Sequence, residues 1–289
     1  MPNLKDIRRR ISTVKSTQQI TKAMKMISAV KLRKAQDQIL EARPYAHELI
    51  SVISNLAHHG GRKKSSLLSQ RPKEKVHLYV VTSDRGLCGS YNGAIIRRTE
   101  RFIREEAEIF KEFKVSFIGR KGEEYFKARL NSSWRGTYHE GVMTHPSFLD
   151  ARNIANDIMQ KFKKGHLDHI FFIYNEFKSA IAQKVVVETL LPVTPSKDLK
   201  PEGVDYLYEP SRKDVLKSLL PKYVRIQIYR ILLEAVASEH GARMTAMDNA
   251  TTNAGEMLSK LTLLANRVRQ AAITTELMEI VGGAEALKG

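Results

Sequence analysis

Apolar residues near the start of the chain recur at Leu4, Ile7, Ile11 and Val14, a three-four-three spacing that sets them on one helical stripe. The stripe resumes at Ile20, Met24, Ile27 and Val30, then at Ala35, Ile39 and Ala42, and the polar run at residues 16–19 shifts its phase. No glycine occurs between Asn3 and Ala57, and the only proline there, Pro44, predicts a kink or local bend. A helix of roughly 54 residues would extend about 80 Å at about 1.5 Å per residue. Globular helices are far shorter, so the pattern predicts a coiled-coil strand or shaft.

The period then breaks. Residues 58–75 carry Gly60, Gly61, serines, Pro72 and many charges, and read as a loop. Strands alternate with helices beyond it: strands at 76–82, 115–118, 170–174 and 184–191, helices at 93–113 and 148–163. Such alternation predicts an α/β layer around a largely parallel sheet, with room for an antiparallel edge. Pro192, Pro195, Pro201 and Gly203 end this domain in an irregular stretch.

From residue 211 helical character returns to the end of the chain, over a length of about 110 Å if fully extended. Pro221 sits near its start, and Gly241 and Gly255 lie inside it. Leu258, Leu261, Ala265, Val268 and Ala272 repeat the three-four alternation of a two-stranded seam. A lone helix in water is marginal, because its stability comes mainly from packing its apolar face. Two long terminal helices around a compact domain therefore predict an antiparallel hairpin in which each covers the other. Its seam, rich in Ala, Met, Thr and Ser, predicts a slim pair. The predicted division is a helix over 1–57, a loop over 58–75, an α/β domain over 76–210 and a helix over 211–289.

Charge changes the picture more than composition does. The 289 residues include 48 Lys and Arg against 31 Asp and Glu, a formal +17. Such an excess implies an acidic partner: nucleic acid, an anionic membrane surface or a negatively charged protein cavity. Up to Lys34 there are ten Lys or Arg and one acid, Asp6, on the same helix as the apolar stripe. A solvated face is the plain explanation, and a basic amphipathic helix binding nucleic acid or lipid is its rival. No aromatic precedes Tyr45, and only Gln18 and Gln19 suit base readout, which weighs against nucleic acid. The narrow, alanine-rich stripe suits a partner helix better than a lipid surface. The single cysteine, Cys88, excludes an internal disulfide and fits a reducing compartment. No apolar run reaches the roughly 18 residues a bilayer-spanning helix needs, and no secretory h-region follows the basic start.

Catalytic signals are weak. No phosphate-loop spacing occurs, and the glycines at 86, 89 and 93 miss the dinucleotide register, so the turn before the second predicted helix reads as a tight strand-to-helix connection. Asp84 and Arg85 read as a turn cap or surface pair, and Cys88, with no His and acid at hand, as a small packed residue. His166 and His169 flank Asp168 without the further ligands zinc would require. No catalytic, cofactor-binding or metal-binding residue is assigned.

Three parts of the chain carry a family likeness. Lys5-Asp-Ile-Arg-Arg-Arg-Ile11, Thr17-Gln-Gln-Ile-Thr-Lys-Ala-Met24 and Ala29-Val-Lys-Leu-Arg-Lys-Ala35 resemble the N-terminal helix of F-type ATP synthase gamma subunits of bacterial type. Ser83-Asp-Arg-Gly-Leu-Cys-Gly89 resembles that family's signature after the first strand. Ser238-Glu-His-Gly-Ala-Arg-Met-Thr-Ala-Met247 and the stretch from Asn266 to Val281 resemble its C-terminal helix. The likeness runs through the whole chain in order, most weakly in the middle.

The resemblance implies an antiparallel, left-handed coiled coil of the terminal helices with an inserted Rossmann-like α/β domain as its foot. It implies a central rotor shaft without catalysis of its own, seated in the hexamer of alternating alpha and beta subunits. The foot would bind the epsilon subunit and the membrane ring of c subunits, and no nucleic acid or cofactor is implied. Met24 and Arg243 match the family's contacts with an acidic loop of beta, and Arg269, Gln270, Thr274 and Glu276 match a polar catch against beta. Ile280, Val281, Ala284, Ala286 and Leu287 would form an apolar tip in a sleeve at the top of the hexamer. The cysteine pair of plant chloroplast gamma subunits is missing, which favours a peripheral place on the cytoplasmic face of a bacterial plasma membrane. A basic coiled coil that binds nucleic acid stands as the alternative.

Overall fold

The computed structural model describes residues 3–56, 67–180, 182–194, 209 and 211–286. Residues 58–66 of the predicted loop at 58–75, together with Pro195, Pro201 and Gly203, lie outside them. Among the described residues, contacts divide the chain into two units, Met1–Ile27 with Met244–Gly289, and Ser28–Arg243.

Helix α1 (Leu4–Leu56) begins where the sequence predicts and continues through Pro44. That proline lies on the exposed side, where water can take the carbonyl its ring leaves unpaired. The inward positions of α1 are Leu4, Ile7, Ile11, Val14, Gln18, Thr21, Lys25, Ser28, Leu32, Ala35, Ile39 and Ala42, all buried or half-buried. They keep one three-four step throughout. The predicted phase shift is therefore wrong, and Ile20, Ile27 and Val30 lie outside the seam at 60%, 56% and 71% exposure. A seam between two helices needs a period of about 3.5 residues, and one slip would carry every later position off it. Polar residues hold the register where apolar ones were expected.

Helix α5 (Arg212–Ala286) opens on a Ser211 cap, whose hydroxyl accepts the Asp214 amide at 3.2 Å and donates to its carboxylate at 2.6 Å. Between the long helices stand β1 (Lys75–Val81), α2 (Tyr91–Glu106), β2 (Glu112–Ile118), α3 (Arg120–Phe126), β3 (Arg135–His139), α4 (Phe148–Lys163), β4 (His169–Phe177) and β5 (Gln183–Leu191). The sheet order is β3-β2-β1-β4-β5. Its first four strands are parallel, and β5 is antiparallel to β4, as the alternation of elements predicts.

Two elements escaped the sequence reading. Strand β3 is a five-residue edge strand with mostly exposed side chains, and α3 spans only seven residues, so neither carries a period long enough to see. The helix predicted to reach residue 113 stops at Glu106; a short 3₁₀ turn follows, and Phe113 already belongs to β2. Phe110 and Phe113 are buried in the apolar core between α2 and the sheet, with Val76, Leu78, Ile95 and Phe102.

Gly119 joins β2 to α3 at φ +101°, and a Cβ there would stand 2.0 Å from the Thr82 carbonyl oxygen. Only glycine permits this approach, which lets the Thr82 hydroxyl accept the Gly122 amide at 2.8 Å. Within the second unit α5 lies on the sheet domain. Tyr91 donates to the Ala235 carbonyl at 3.0 Å, Ser238 donates to the Asn175 carbonyl at 3.0 Å, and Val224, Ile228, Ile231 and Leu232 are fully buried. Arg230 completes the attachment by pairing with Glu188 of β5 and, at 3.0 Å, with Glu234.

Candidate partner-binding site

In the first unit α1 and α5 run antiparallel. Lys25 pairs with Asp248 at 2.6 Å, Thr251 and Thr21 hydroxyls meet at 2.7 Å, and Gln18 donates to the Thr251 carbonyl at 3.4 Å. A Cβ on Gly255 would stand 3.1 Å from the Gln18 amide nitrogen, so the smallest side chain sits opposite one of the largest in the seam. Farther along α5, Ala254, Leu258, Leu261, Ala265 and Val268 continue the inward positions.

The pairing then runs out. Lys25 lies twenty-one residues beyond Leu4, and Arg269 twenty-one beyond Asp248, so α1 ends opposite Arg269. Ala272, predicted in the seam, is exposed, and Ala271 takes the last half-buried place. From Ala272 to Ala286 every described side chain is exposed, although the helix continues.

This end carries most of the partner-binding residues predicted from the sequence. Arg269, Gln270, Thr274 and Glu276 are all exposed, and Thr274 donates back to the Gln270 carbonyl at 3.0 Å. Ile280 and Val281 are exposed at 67% and 61%, Ala284 and Ala286 are exposed, and Leu287 lies outside the described residues. Ile273 and Leu277 share the side of Ile280 by four-three spacing, and the three are exposed at 49%, 57% and 67%. Sequence reasoning missed Ile20, Ile27 and Val30 as surface residues. An unbroken three-four step through Gln18, Thr21 and Lys25 was the signal that could have placed them outside.

Met24 is half-buried on α1. Arg243, in the second unit, is 8% exposed and pairs with Glu239 at 2.7 Å. Its other terminal nitrogen, Nη1, meets His240 Nδ1 at 3.3 Å, while Nη2, which faces Glu239, also donates to the Arg85 and Gly86 carbonyls at 3.2 Å each. It thereby pins α5 to the turn after β1. Burial raises the pKa of Glu239, and the Arg243 guanidinium opposes that rise. Burial, with Arg243 next and Lys31 after it, lowers the pKa of His240 to about 4. The imidazole is thus neutral, with Nδ1 free to accept from Arg243.

The turn itself is built from side-chain bonds. Ser83 hydroxyl donates to the Arg85 carbonyl at 2.6 Å, and Asn92 Nδ2 donates to Ser83 Oγ at 2.7 Å. Leu87 adopts φ +63°. Asp84 accepts the Arg120 amide and the Thr144 hydroxyl, both at 3.0 Å, which makes it a cap for α3. Cys88 is packed beneath with its thiol pKa raised by burial. His169 Nε2 meets the Arg71 carbonyl at 3.0 Å, and Asp168 accepts the Lys75 amide at 3.1 Å, so this pair ties chain segments together. Among the described residues no helix is long and apolar enough to cross a membrane.

A family model described as ATP synthase matches residues 3–287. The ATP synthase gamma chain of Geobacter metallireducens is 47% identical over 290 residues, covering 100% of both chains. The chain belongs to the ATP synthase gamma-chain family. The gamma chain of Anaeromyxobacter sp. strain K is 50% identical over 292 residues, again covering 100% of both. Among solved structures, the central stalk and c-ring of Tetrahymena thermophila mitochondrial ATP synthase includes a chain of 28% identity and TM-score 0.59. That match covers 80% of this chain and 99% of the other. A chain of the Euglena gracilis mitochondrial ATP synthase matches at TM-score 0.69, covering 98% of this chain and 94% of its own; at 19% identity it speaks for the fold alone. The nucleic-acid alternative finds no support in these likenesses. Gamma-chain family membership also gives the bare end of α5 a context, since a subunit of a larger assembly can leave apolar residues for its neighbours to cover.

Proposed function

We propose that the chain is the central rotor shaft of an F-type ATP synthase, coupling proton-driven rotation of a ring of c subunits to ATP synthesis in a hexamer of alternating alpha and beta subunits. The observation that carries this is the uncovered end of α5, where exposed Ile273, Leu277, Ile280 and Val281 continue a helix that has lost its partner. Exposed apolar side chains concentrated on one element mark an interaction surface. A sleeve formed by the hexamer would cover them, and Ala284 and Leu287 would complete the tip.

Catalysis would reside in the beta subunits and the coupling in this chain. A two-helix shaft is asymmetric, so each orientation stabilises one conformation of each beta subunit over the others, which is coupling by differential binding. Arg269, Gln270, Thr274 and Glu276 would form the polar catch against beta. Met24 would present its exposed part to an acidic loop of beta. Arg243 would meet that loop through the 8% of its surface left exposed, while holding the Arg85–Gly86 turn. The helices over 1–57 and 211–289 would serve as shaft and the domain over 76–210 as foot, with epsilon and the c ring bound there. The positive charge would face acidic protein surfaces, on the cytoplasmic side of a bacterial plasma membrane.

The test is capture of the tagged chain from native membranes after mild detergent extraction. Alpha and beta subunits are expected in fixed ratio, with ATP hydrolysis by the captured assembly and none by the isolated chain. Capture without alpha and beta would sink the proposal.

A further inference from the structure

Where β1 and β2 begin, the surface of the second unit dips into a hollow of about 310 Å³. Three lysines reach it from three elements: Lys75 at the start of β1, Lys114 on β2 and Lys161 in the last turn of α4. His166, in the turn before β4, stands on its rim, and buried His77 forms part of its wall. The single acid lining it is Glu112, which reaches Lys75 only at 3.9 Å. Lys161 is paired with Asp157 at 2.7 Å, whereas Lys114 has no hydrogen-bonded or ion-paired partner among the described residues.

The wall adds a neutral polar group. His77 Nε2 lies 2.8 Å from Ser116 Oγ, and that oxygen also accepts the Thr137 amide at 2.8 Å. The other ring nitrogen, Nδ1, is buried and has no hydrogen-bond partner among the described residues. A buried polar atom left unpaired is costly.

From this geometry we infer that the hollow binds a phosphate group, held by Lys114, Lys161 and Lys75. Lysine binds phosphate as a point charge, and a doubly charged tetrahedral anion gains from several ammonium groups at once where a single carboxylate gains from one. The volume is many times the roughly 30 Å³ share of one water, so there is room for the phosphate and part of the group that carries it. That group is either a small soluble ester or a lipid headgroup. The inference does not depend on the shaft reading, because it concerns a hollow in the sheet domain alone.

Calorimetric titration of the purified full chain with glycerol phosphate, and flotation with vesicles of phosphatidylcholine containing phosphatidic acid, separate the two sources. Saturable binding of glycerol phosphate is expected if the ligand is soluble. Flotation with the acidic vesicles but not with pure phosphatidylcholine, in the absence of soluble binding, is expected if it is a headgroup. In either case Lys114→Gln and Lys161→Gln should each weaken binding about tenfold, equivalent to about 1.4 kcal/mol. Lys111→Gln, an equal charge change at a residue paired with Glu74 outside the hollow, should change it less than about twofold. His77 ring resonances should shift on saturation. Equal losses in Lys111→Gln and Lys114→Gln, or no saturation with either probe, would overturn the inference.

Discussion

The hydroxyls of Thr21 and Thr251 meet at 2.7 Å across the helix pair, in a seam position where leucine or alanine would ordinarily sit. Thr21 is also 3.0 Å from the Gln18 carbonyl, and Thr251 is 2.7 Å from the Met247 carbonyl. Two hydroxyl protons thus serve three contacts, and one contact is always unmade. A polar layer of this kind fixes register more than it adds stability.

Replacing Thr21 alone or Thr251 alone by valine should destabilise the chain by about 1 kcal/mol, since the remaining hydroxyl loses its cross-helix partner. The Thr21→Val/Thr251→Val double variant should be close to neutral, because two apolar groups of matching shape leave nothing unpaired. Denaturant titrations of all four forms make a double-mutant cycle, and additive losses would show that the hydroxyls do not interact.

The terminal helices were legible because their three-four spacing persists over many turns, where noise averages out. The failure at Ile20, Ile27 and Val30 has a physical source: in a two-helix seam the inward positions follow the period of about 3.5 residues, not the hydrophobicity of each residue. Gln18 and Thr21 sit inside because the facing helix supplies hydrogen-bonding groups, a tertiary fact that only the unbroken three-four step hints at. The sheet could be read in outline from β-rich runs such as residues 170–174, but β3 could not, since a mostly exposed edge strand has no apolar signature. Exposure of Arg269, Gln270 and Thr274 was foreseeable from their helical phase. Burial of Arg243 was not, because it depends on the Arg85–Gly86 turn reaching α5 from more than one hundred and fifty residues away.

That burial makes Arg243 a sensitive position. Arg243→Ala would strand Glu239, itself 5% exposed, and breaking such a pair costs about 3–5 kcal/mol. Arg243→Met combined with Glu239→Gln, which leaves no buried charge, should recover more than half of that loss. Thermal or urea unfolding checks both, and equal stability of the two variants would mean that the pair is not what holds the turn.

Acid should weaken the second unit through His77. Burial, then Lys161, Lys114 and His139, lower its pKa to about 3 from an ordinary value of 6.5. The folded pKa lies below the unfolded one, so the unfolded chain binds the proton first. The stabilising contribution is complete above about pH 6.5 and is lost as pH falls toward 3. Between pH 6.5 and 5 the loss should be about 1.5 kcal/mol. In His77→Asn that part of the pH dependence should vanish, whatever the variant's stability at neutral pH. Parallel slopes for both proteins over this range would count against a neutral buried imidazole.

The end of α5 separates folding from assembly. Leu277 and Ile280 are exposed at 57% and 67%, so Leu277→Asp and Ile280→Asp should change the chain's own unfolding free energy by less than about 0.5 kcal/mol. In the assembly the same side chains would be covered, and burying each apolar group contributes about 1.5–3 kcal/mol. Either substitution should then weaken capture of alpha and beta subunits about tenfold or more, and the double variant further. Arg225→Gln serves as the control: its guanidinium is bonded to Asn156 at 3.0 Å in the second unit, far along the chain from the tip. Reduced capture together with unchanged unfolding would tie the exposed face to the partner. Destabilisation of the isolated chain by the tip variants would instead mean that these side chains are packed within it, and the reason for a covering sleeve would be gone.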